Sequence, residues 1–187
     1  MDVSRSALLL MDFQVGILQG RDGAAEVLAT AATALKAARS AQMPVVHVRV
    51  AFTEQDYASV SERNKSFAAM RGARRLAEGT PAAGIHPDLA PAAGDVVVTK
   101  TRVGAFSTTA LETHLRGRGI DTLVLAGVAT SGVVLSTVRD AADRDYRLFV
   151  LRDCCLDTPE VHSILVSQVF PRQAEVLDVA GFAELLS

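Results

Sequence analysis

The sequence predicts a three-layer α/β/α fold: a doubly wound, mostly parallel sheet of about six strands with helices on both faces. Two observations carry this. Six short apolar runs alternate with longer stretches of helical composition, and strands that alternate with helices are joined by right-handed crossovers, which makes them parallel. Few polar residues alternate within the runs, the pattern of strands buried on both faces.

In chain order the predicted strands are 7–11 (ALLLM), 45–50 (VVHVRV), 96–99 (VVVT), 122–126 (TLVLA), 147–151 (RLFVL) and 174–177 (AEVL), most of them β-branched or leucine-rich. Helices are predicted over 24–41, rich in alanine, and over 108–116, 133–144 and 159–170. Gly117 and Gly119 are placed to end a helix before the strand at Thr122. Thr158, Pro159 and Glu160 read as an N-cap, a first-turn proline and an early acid favoured by the helix dipole. Segment 51–94 breaks the rhythm, being polar, charged at Arg71, Arg74 and Arg75, and proline-bearing at its end. Its length predicts a short helix that serves as a lid or subunit contact, with a solvated surface excursion as the alternative.

At 187 residues and 49% hydrophobic content, the chain has the size of one globular domain with its own core, 1–187. A net charge of -2 without clustered lysine and arginine argues against a nucleic-acid partner. The apolar run at 7–11 is cut by Asp12, too short for a signal segment or a membrane span, so a cytoplasmic location and no membrane partner are expected. Cys154 and Cys155 are adjacent and poorly placed to form a disulfide, which predicts free thiols in a reducing compartment.

In an open parallel sheet, ligands bind outside the carboxyl ends of the strands. Asp12 follows the first run, Lys100 follows the third, and the turn 127–132 (GVATSG) leads from the fourth into a helix. Asp12 there is either a desolvated general acid or base, or a simple strand cap. Lys100 is either a partner for Asp12 or a substrate anion, or an ordinary solvated lysine. Opposite charges converging from two strand ends would shift each other's pKa, as functional sites do. The turn offers N–H groups to an anion or a developing oxyanion, though Thr130 and Ser131 read equally well as caps. It lacks the lysine and hydroxyl of a phosphate-binding loop, and no GxGxxG follows the first strand, so nucleotide binding is disfavoured.

Four segments in order resemble the isochorismatase-like (cysteine hydrolase) family over nearly the whole chain. ALLLMDFQ resembles the opening strand with its Asp and nearby Gln, here Asp12 and Gln14. GIHPDLAPAAGDVVVTKTRVGAFSTTAL resembles the lysine segment, here Lys100 followed by Ala105, Phe106 and Thr109. GVATSGVVLSTVRDAADRDY resembles the nucleophile turn and its helix, and FVLRDCC the next strand with its terminal acid, Asp153. The resemblance implies a substrate and oxyanion pocket formed by Gln14, Phe106, Val128, Ala129 and Thr130. It also implies a small-molecule substrate and a homodimer or homotetramer, with the Ala-rich face of 24–41 and segment 51–94 as contact surfaces.

The same alignment places Val133 where the family's cysteine stands, and valine cannot be a nucleophile. Ser131 and Ser136 lie off that position without an evident base, and Cys154 and Cys155 read as structural thiols. The zinc-binding residues of the family's nicotinamidase branch are not recognisable, since His47 lies within a strand and no paired histidine follows, so neither metal nor other cofactor is expected. The isochorismatase branch itself carries glycine at the lost position and hydrolyses a vinyl ether by protonation from the Asp. By that resemblance, Asp12 is the general acid/base and Lys100 either orients a carboxylate or sets the acid's protonation. The alternative is a non-catalytic ligand binder or oligomeric scaffold in which Asp12 and Lys100 form a structural ion pair.

Overall fold

The computed structural model describes residues 1–186. Its six strands are β1 (Ser6–Met11), β2 (Val45–Val50), β3 (Val96–Lys100), β4 (Thr122–Val128), β5 (Arg147–Leu156) and β6 (Glu175–Leu177). They pair in parallel in the order β3-β2-β1-β4-β5-β6. The chain runs outward from β1 to β3, then crosses back and runs outward from β4 to β6. The order therefore reverses between β1 and β4, and the crevice at the carboxyl ends of those two strands is where such a sheet admits a ligand.

The helices are α1 (Val15–Leu18), α2 (Ala24–Ser40), α3 (Glu54–Ser59), α4 (Lys65–Gly72), α5 (Leu111–Gly117), α6 (Leu135–Ala142), α7 (Pro159–Ile164) and α8 (Val179–Leu186). Successive strand residues point to opposite faces. Ala7, Leu9 and Met11 therefore join Leu111, Leu115, Val138 and Ala141 in one apolar layer, while Leu8 and Leu10 join Val27, Ala31, Leu35 and Phe182 in the other. Both faces of β1 and β4 are buried along their whole length, which is why their sequences lack alternation.

Three differences from the sequence reading have physical causes. β5 continues through Asp153, Cys154 and Cys155 to Leu156, where the apolar run had ended at Leu151. Its charged residues are accommodated by partners: Arg152 pairs with Asp178 at 2.5 Å, and both Asp153 carboxylate oxygens accept the Val179 N–H at 3.1 Å. Second, α8 was not anticipated. Asp178 Oδ1 accepts the Gly181 N–H at 2.9 Å, and the apolar turn that follows buries Phe182 on the α2 side of the sheet. Third, α2 divides its alanines between two faces: Ala31, Ala34 and Ala38 are fully buried in the chain's own core, while Ala25 and Ala29 stay exposed.

Segment 51–94 forms more than one short helix. It contains α3, closed by a capping box of Thr53 and Asp56, then α4, and tight turns at Pro81–Ala83 and Pro87–Leu89. Phe52, Tyr57, Val60, Phe67 and Leu76 give it a small core of its own, contiguous with Val50 at the end of β2. It is therefore seated over the carboxyl end of β2.

The helix expected from 108 begins only at Leu111. Thr108 takes a positive φ of 64°, and Thr109 Oγ1 donates to Ala105 O while accepting the Leu111 N–H, so the threonines form the entry to α5. Thr158 sits at the N-cap of α7 without a side-chain bond to the helix, and Asp157 Oδ1 accepts the Thr158 N–H instead.

Close approach of strands fixes one glycine. A Cβ at Gly127 would lie 2.8 Å from the Met11 carbonyl oxygen, 3.0 Å from Met11 Cβ and 3.2 Å from Val134 Cγ2. Gly127→Ala is accordingly expected to destabilise the fold by about 1–3 kcal/mol, measured as a lower urea midpoint. An unchanged midpoint would mean that β1 and β4 are free to separate.

Candidate active site

Asp12 continues the line of β1, its N–H donating to Val48 O at 2.8 Å, and the chain then turns with the Gln14 N–H on Asp12 O at 2.8 Å. This turn gives Asp12 a φ of 61°, unusual for a residue with a Cβ and of a kind found at sites where the backbone aims a side chain. Met11 pairs with Gly127, so Asp12 lies level with Val128 and the cis Val128-Ala129 peptide across the reversal point of the sheet.

Lys100, the last residue of β3, reaches across β2 to this acid. Its Nζ donates to Asp12 Oδ2 at 2.9 Å, to Arg102 O at 3.1 Å and to Val103 O at 2.9 Å. An ammonium has three N–H donors, and all three have acceptors here. The two side chains are 7% and 1% exposed, so the pair is sealed from bulk solvent. Asp12 Oδ1 is buried and has no hydrogen-bond partner, the only such side-chain atom among the described residues. Burial pushes the Asp12 carboxyl up to about 6 against the opposing pull of Lys100, and burial also lowers the pKa of Lys100 against the pull of Asp12.

Residues 101–105 cross from β3 toward α6. Ala105 N–H donates to Thr137 Oγ1 at 3.2 Å, and a Cβ on Gly104 would touch that of Ser136 at 3.5 Å. This crossing loop supplies the two carbonyls that hold Lys100. Arg102 extends from it with its guanidinium 5.7 Å from the Phe67 ring centre and one N–H on Thr101 O at 2.6 Å.

The turn after β4 is wide, Thr130–Val134, and runs directly into α6. Val133 is 2% exposed and joins the apolar layer with Met11, Val134 and Cys155. Thr130 is not a helix cap: the N-cap position is Ala129, and Thr130 Oγ1 lies 3.0 Å from His162 Nδ1 of α7. Ser131 donates its N–H to Asp157 Oδ2 at 2.7 Å, so a carboxylate already occupies one of the turn's donors. Burial lowers the pKa of His162, opposed by the neighbouring Asp157.

The structure thus brings Asp12 and Lys100 into contact beside Val128 and Ala129. Gln14 and Phe106 are differently placed. The Gln14 side-chain amide is committed to backbone: Nε2 donates to Val50 O and Ala83 O at 2.8 and 2.7 Å, and Oε1 accepts the Val50 N–H at 2.7 Å. It ties segment 51–94 to β2. Phe106 packs its ring 6.0 Å from that of Tyr146 and under the Arg144 guanidinium, at the amino end of β5 and away from the crevice. His47 is buried in β2 with Nε2 3.2 Å from Asp95 Oδ2. His162 and Asp157 were not anticipated, because their link to the turn spans 32 and 26 residues of sequence.

Residues 6–181 match the isochorismatase domain family. The chain belongs to the isochorismatase family. It is 32% identical over 158 residues to a maleamate amidohydrolase of Pseudomonas putida, covering 82% of this chain and 73% of that one. It is 34% identical over 178 residues to the ureidoacrylate amidohydrolase RutB of Methylobacterium radiotolerans, covering 88% and 69%. Among solved structures it is similar to a cysteine hydrolase from Pseudomonas syringae pv. phaseolicola, with a TM-score of 0.86 at 25% identity, covering 100% of this chain and 94% of that one. It is an isochorismatase-family hydrolase, of the same α/β/α architecture.

Proposed function

We propose that this family member hydrolyses a small molecule by proton transfer at Asp12, with Lys100 as its charge partner and without a covalent cysteine intermediate. The observation that carries the reading is the unpartnered, buried Asp12 Oδ1 beside a lysine-bound Oδ2 at the reversal point of the sheet. One carboxyl oxygen is anchored and the other is free to give or take a proton.

A carboxyl held near 6 remains partly protonated around neutrality and serves as an acid. Its proton passes to the substrate atom whose bond will break or polarise, leaving a carboxylate that Lys100 stabilises. Water then adds its oxygen to the activated carbon, and its surplus proton returns to Asp12. Lys100 opposes protonation of the acid in the resting state and favours its conjugate base once the proton has moved, so its balance against burial sets the working pH.

The family's cysteine position holds Val133, and neither thiol of the chain offers a substitute. Both are buried in β5, and burial pushes the Cys155 thiol up to about 12 and that of Cys154 higher still. A nucleophilic thiolate is scarce under those conditions. The test is to screen the purified protein, beside Asp12→Asn, against isochorismate-like vinyl ethers and a panel of small amides. Turnover by the native protein that the variant lacks supports this reading. Absence of turnover across the panel would favour a ligand-binding or scaffold relative.

A further inference from the structure

An open sheet ends in two edge strands, whose unpaired N–H and C=O groups invite another strand unless something blunts them. The two edges here differ. β6 is three residues long and carries Glu175, which pairs with Arg147 of β5, so that edge is short and charged. β3 is five residues, VVVTK, with no proline, and its only charged side chain, Lys100, is buried. Lys100 O accepts the Ala51 N–H, which turns the backbone groups of Val96, Val98 and Lys100 toward β2. Those of Val97 and Thr99 therefore point outward along the free edge, because successive residues of a strand alternate in direction. The open stretch is closed at both ends: the Asp95 N–H bonds Ala92 O and the Thr101 N–H bonds Thr108 Oγ1, each at 3.1 Å.

Both flanks of this stretch are suited to burial. On one face of the sheet Val97 is 46% exposed, with Thr99 exposed beside it. On the other, a groove of about 520 Å³ runs between β3 and α5, walled by Thr108, Thr109 and His114. α5 turns its charged side chains away from the groove: Glu112 bonds Arg116 and Tyr146, and Arg116 reaches the Arg144 carbonyl. The exposed residues on its groove side are Ala110, Thr113, His114 and Gly117, spaced as one helix stripe with no carboxylate, lysine or arginine among them. A Cβ on Gly117 would meet nothing within 4 Å, so this stripe lies open.

We infer that β3 pairs with β3 of a second copy of this chain, antiparallel across a two-fold axis at Val98, to form one continuous sheet with six strands from each copy. In that register Val97 faces Thr99 of the partner subunit. Each such pair exchanges two hydrogen bonds, which satisfies every outward group of the stretch. The closing bonds leave an incoming strand only three residues to use, too short a window to select a foreign peptide by pockets for alternate side chains. A second copy brings α5 with its strand. The two α5 stripes then meet across the axis and add the area that strand pairing alone does not supply. Because the paired strands run in opposite directions, the two Asp12–Lys100 sites open on opposite edges of the sheet. This surface lies outside both α2 and segment 51–94, and the inference stands apart from the hydrolytic reading of the site.

Sedimentation velocity over a dilution series reads the oligomeric state against the 19.8 kDa of one chain. The native protein is expected to sediment as a dimer or as an assembly of dimers. Val97→Pro removes one donor per copy at a free edge, where proline is tolerated, and is expected to weaken association about 10- to 100-fold. Val97→Glu combined with Thr99→Glu sets like charges opposite each other and should also dissociate the pair, whereas Val97→Glu combined with Thr99→Lys sets opposite charges there and should hold it. Urea midpoints show whether each variant is folded. Hydrogen exchange at the Val97 and Thr99 amides should be slow in the native protein. A native protein that is monomeric throughout the series overturns the inference and leaves this edge to a strand of another protein. So does a dimer that neither Val97→Pro nor the like-charged combination weakens, or fast exchange at Val97 and Thr99 in the native dimer, since either places the interface elsewhere. Equal loss of the dimer in both charged combinations contradicts the register. If those combinations fail to fold, Val97→Pro and the exchange rates still decide.

Discussion

At pH 8, Lys100→Met is expected to lower the free energy of unfolding by about 3–5 kcal/mol, the range for breaking a buried ion pair from one side. Methionine fills much of the lysine's volume but leaves the Asp12 carboxylate without a counter-ion, and leaves the carbonyls of Arg102 and Val103 without their donor. The loss depends on pH. Because the folded-state pKa of Asp12 is raised from 3.8 to about 6, the fold binds that proton more tightly than the unfolded chain does. The resulting stabilisation is complete below about 4 and is lost as pH rises through about 6. Lys100 limits that loss in the native protein, and the variant lacks the limit, so its deficit should shrink toward pH 5, where Asp12 carries its proton. Urea unfolding at pH 5 and pH 8 reads both values. A deficit equal at the two pH values would mean that the lysine acts by packing alone.

Asp12→Asn is expected to reduce turnover of any substrate found for the native protein by about 10²–10⁴-fold, the contribution typical of a positioned general acid or base. Asparagine has nearly the same shape, and its side-chain oxygen still accepts from Lys100, so the crevice keeps its form. What disappears is the exchangeable proton on an otherwise unpartnered oxygen. Turnover measured beside the urea midpoint separates chemistry from folding. A variant that folds normally and keeps activity within tenfold of native would remove Asp12 from the mechanism.

The sheet was readable wherever burial on both faces forces an unbroken apolar run. β2 has the boundaries its sequence implies, and β1 differs by one residue. β5 was cut short because Arg152 and Asp153 look like a strand end, and only the folded chain supplies Asp178 and the Val179 N–H that permit them to continue. α8 has a helix-start signal in Asp178 ahead of the mostly apolar Val179–Leu186, but it lies beyond the last strand and outside the strand-helix alternation that marks the other elements. At the site, Asp12 and Lys100 were legible because each stands at a strand's carboxyl end, where the fold class itself directs attention. Gln14 and Phe106 lie close to them in sequence, yet their side chains are engaged elsewhere, by the backbone around Val50 and by Tyr146. Thr130 and His162 meet only because α7 folds back toward the turn, and no local pattern encodes that contact.

This mechanism requires Asp12 to be a proton-bearing acid near neutral pH and not a permanently ionised anchor. Its most direct test needs no substrate: carboxyl ¹³C chemical shifts of the aspartates, followed from pH 3 to pH 9 in the native protein and in Asp12→Asn. One carboxyl is expected to titrate at about 6, in keeping with its burial beside Lys100, and to be missing from the variant. If the carboxyl that the variant removes instead titrates at or below its ordinary value, Asp12 is locked as the anion of a structural ion pair and cannot donate the proton this mechanism requires.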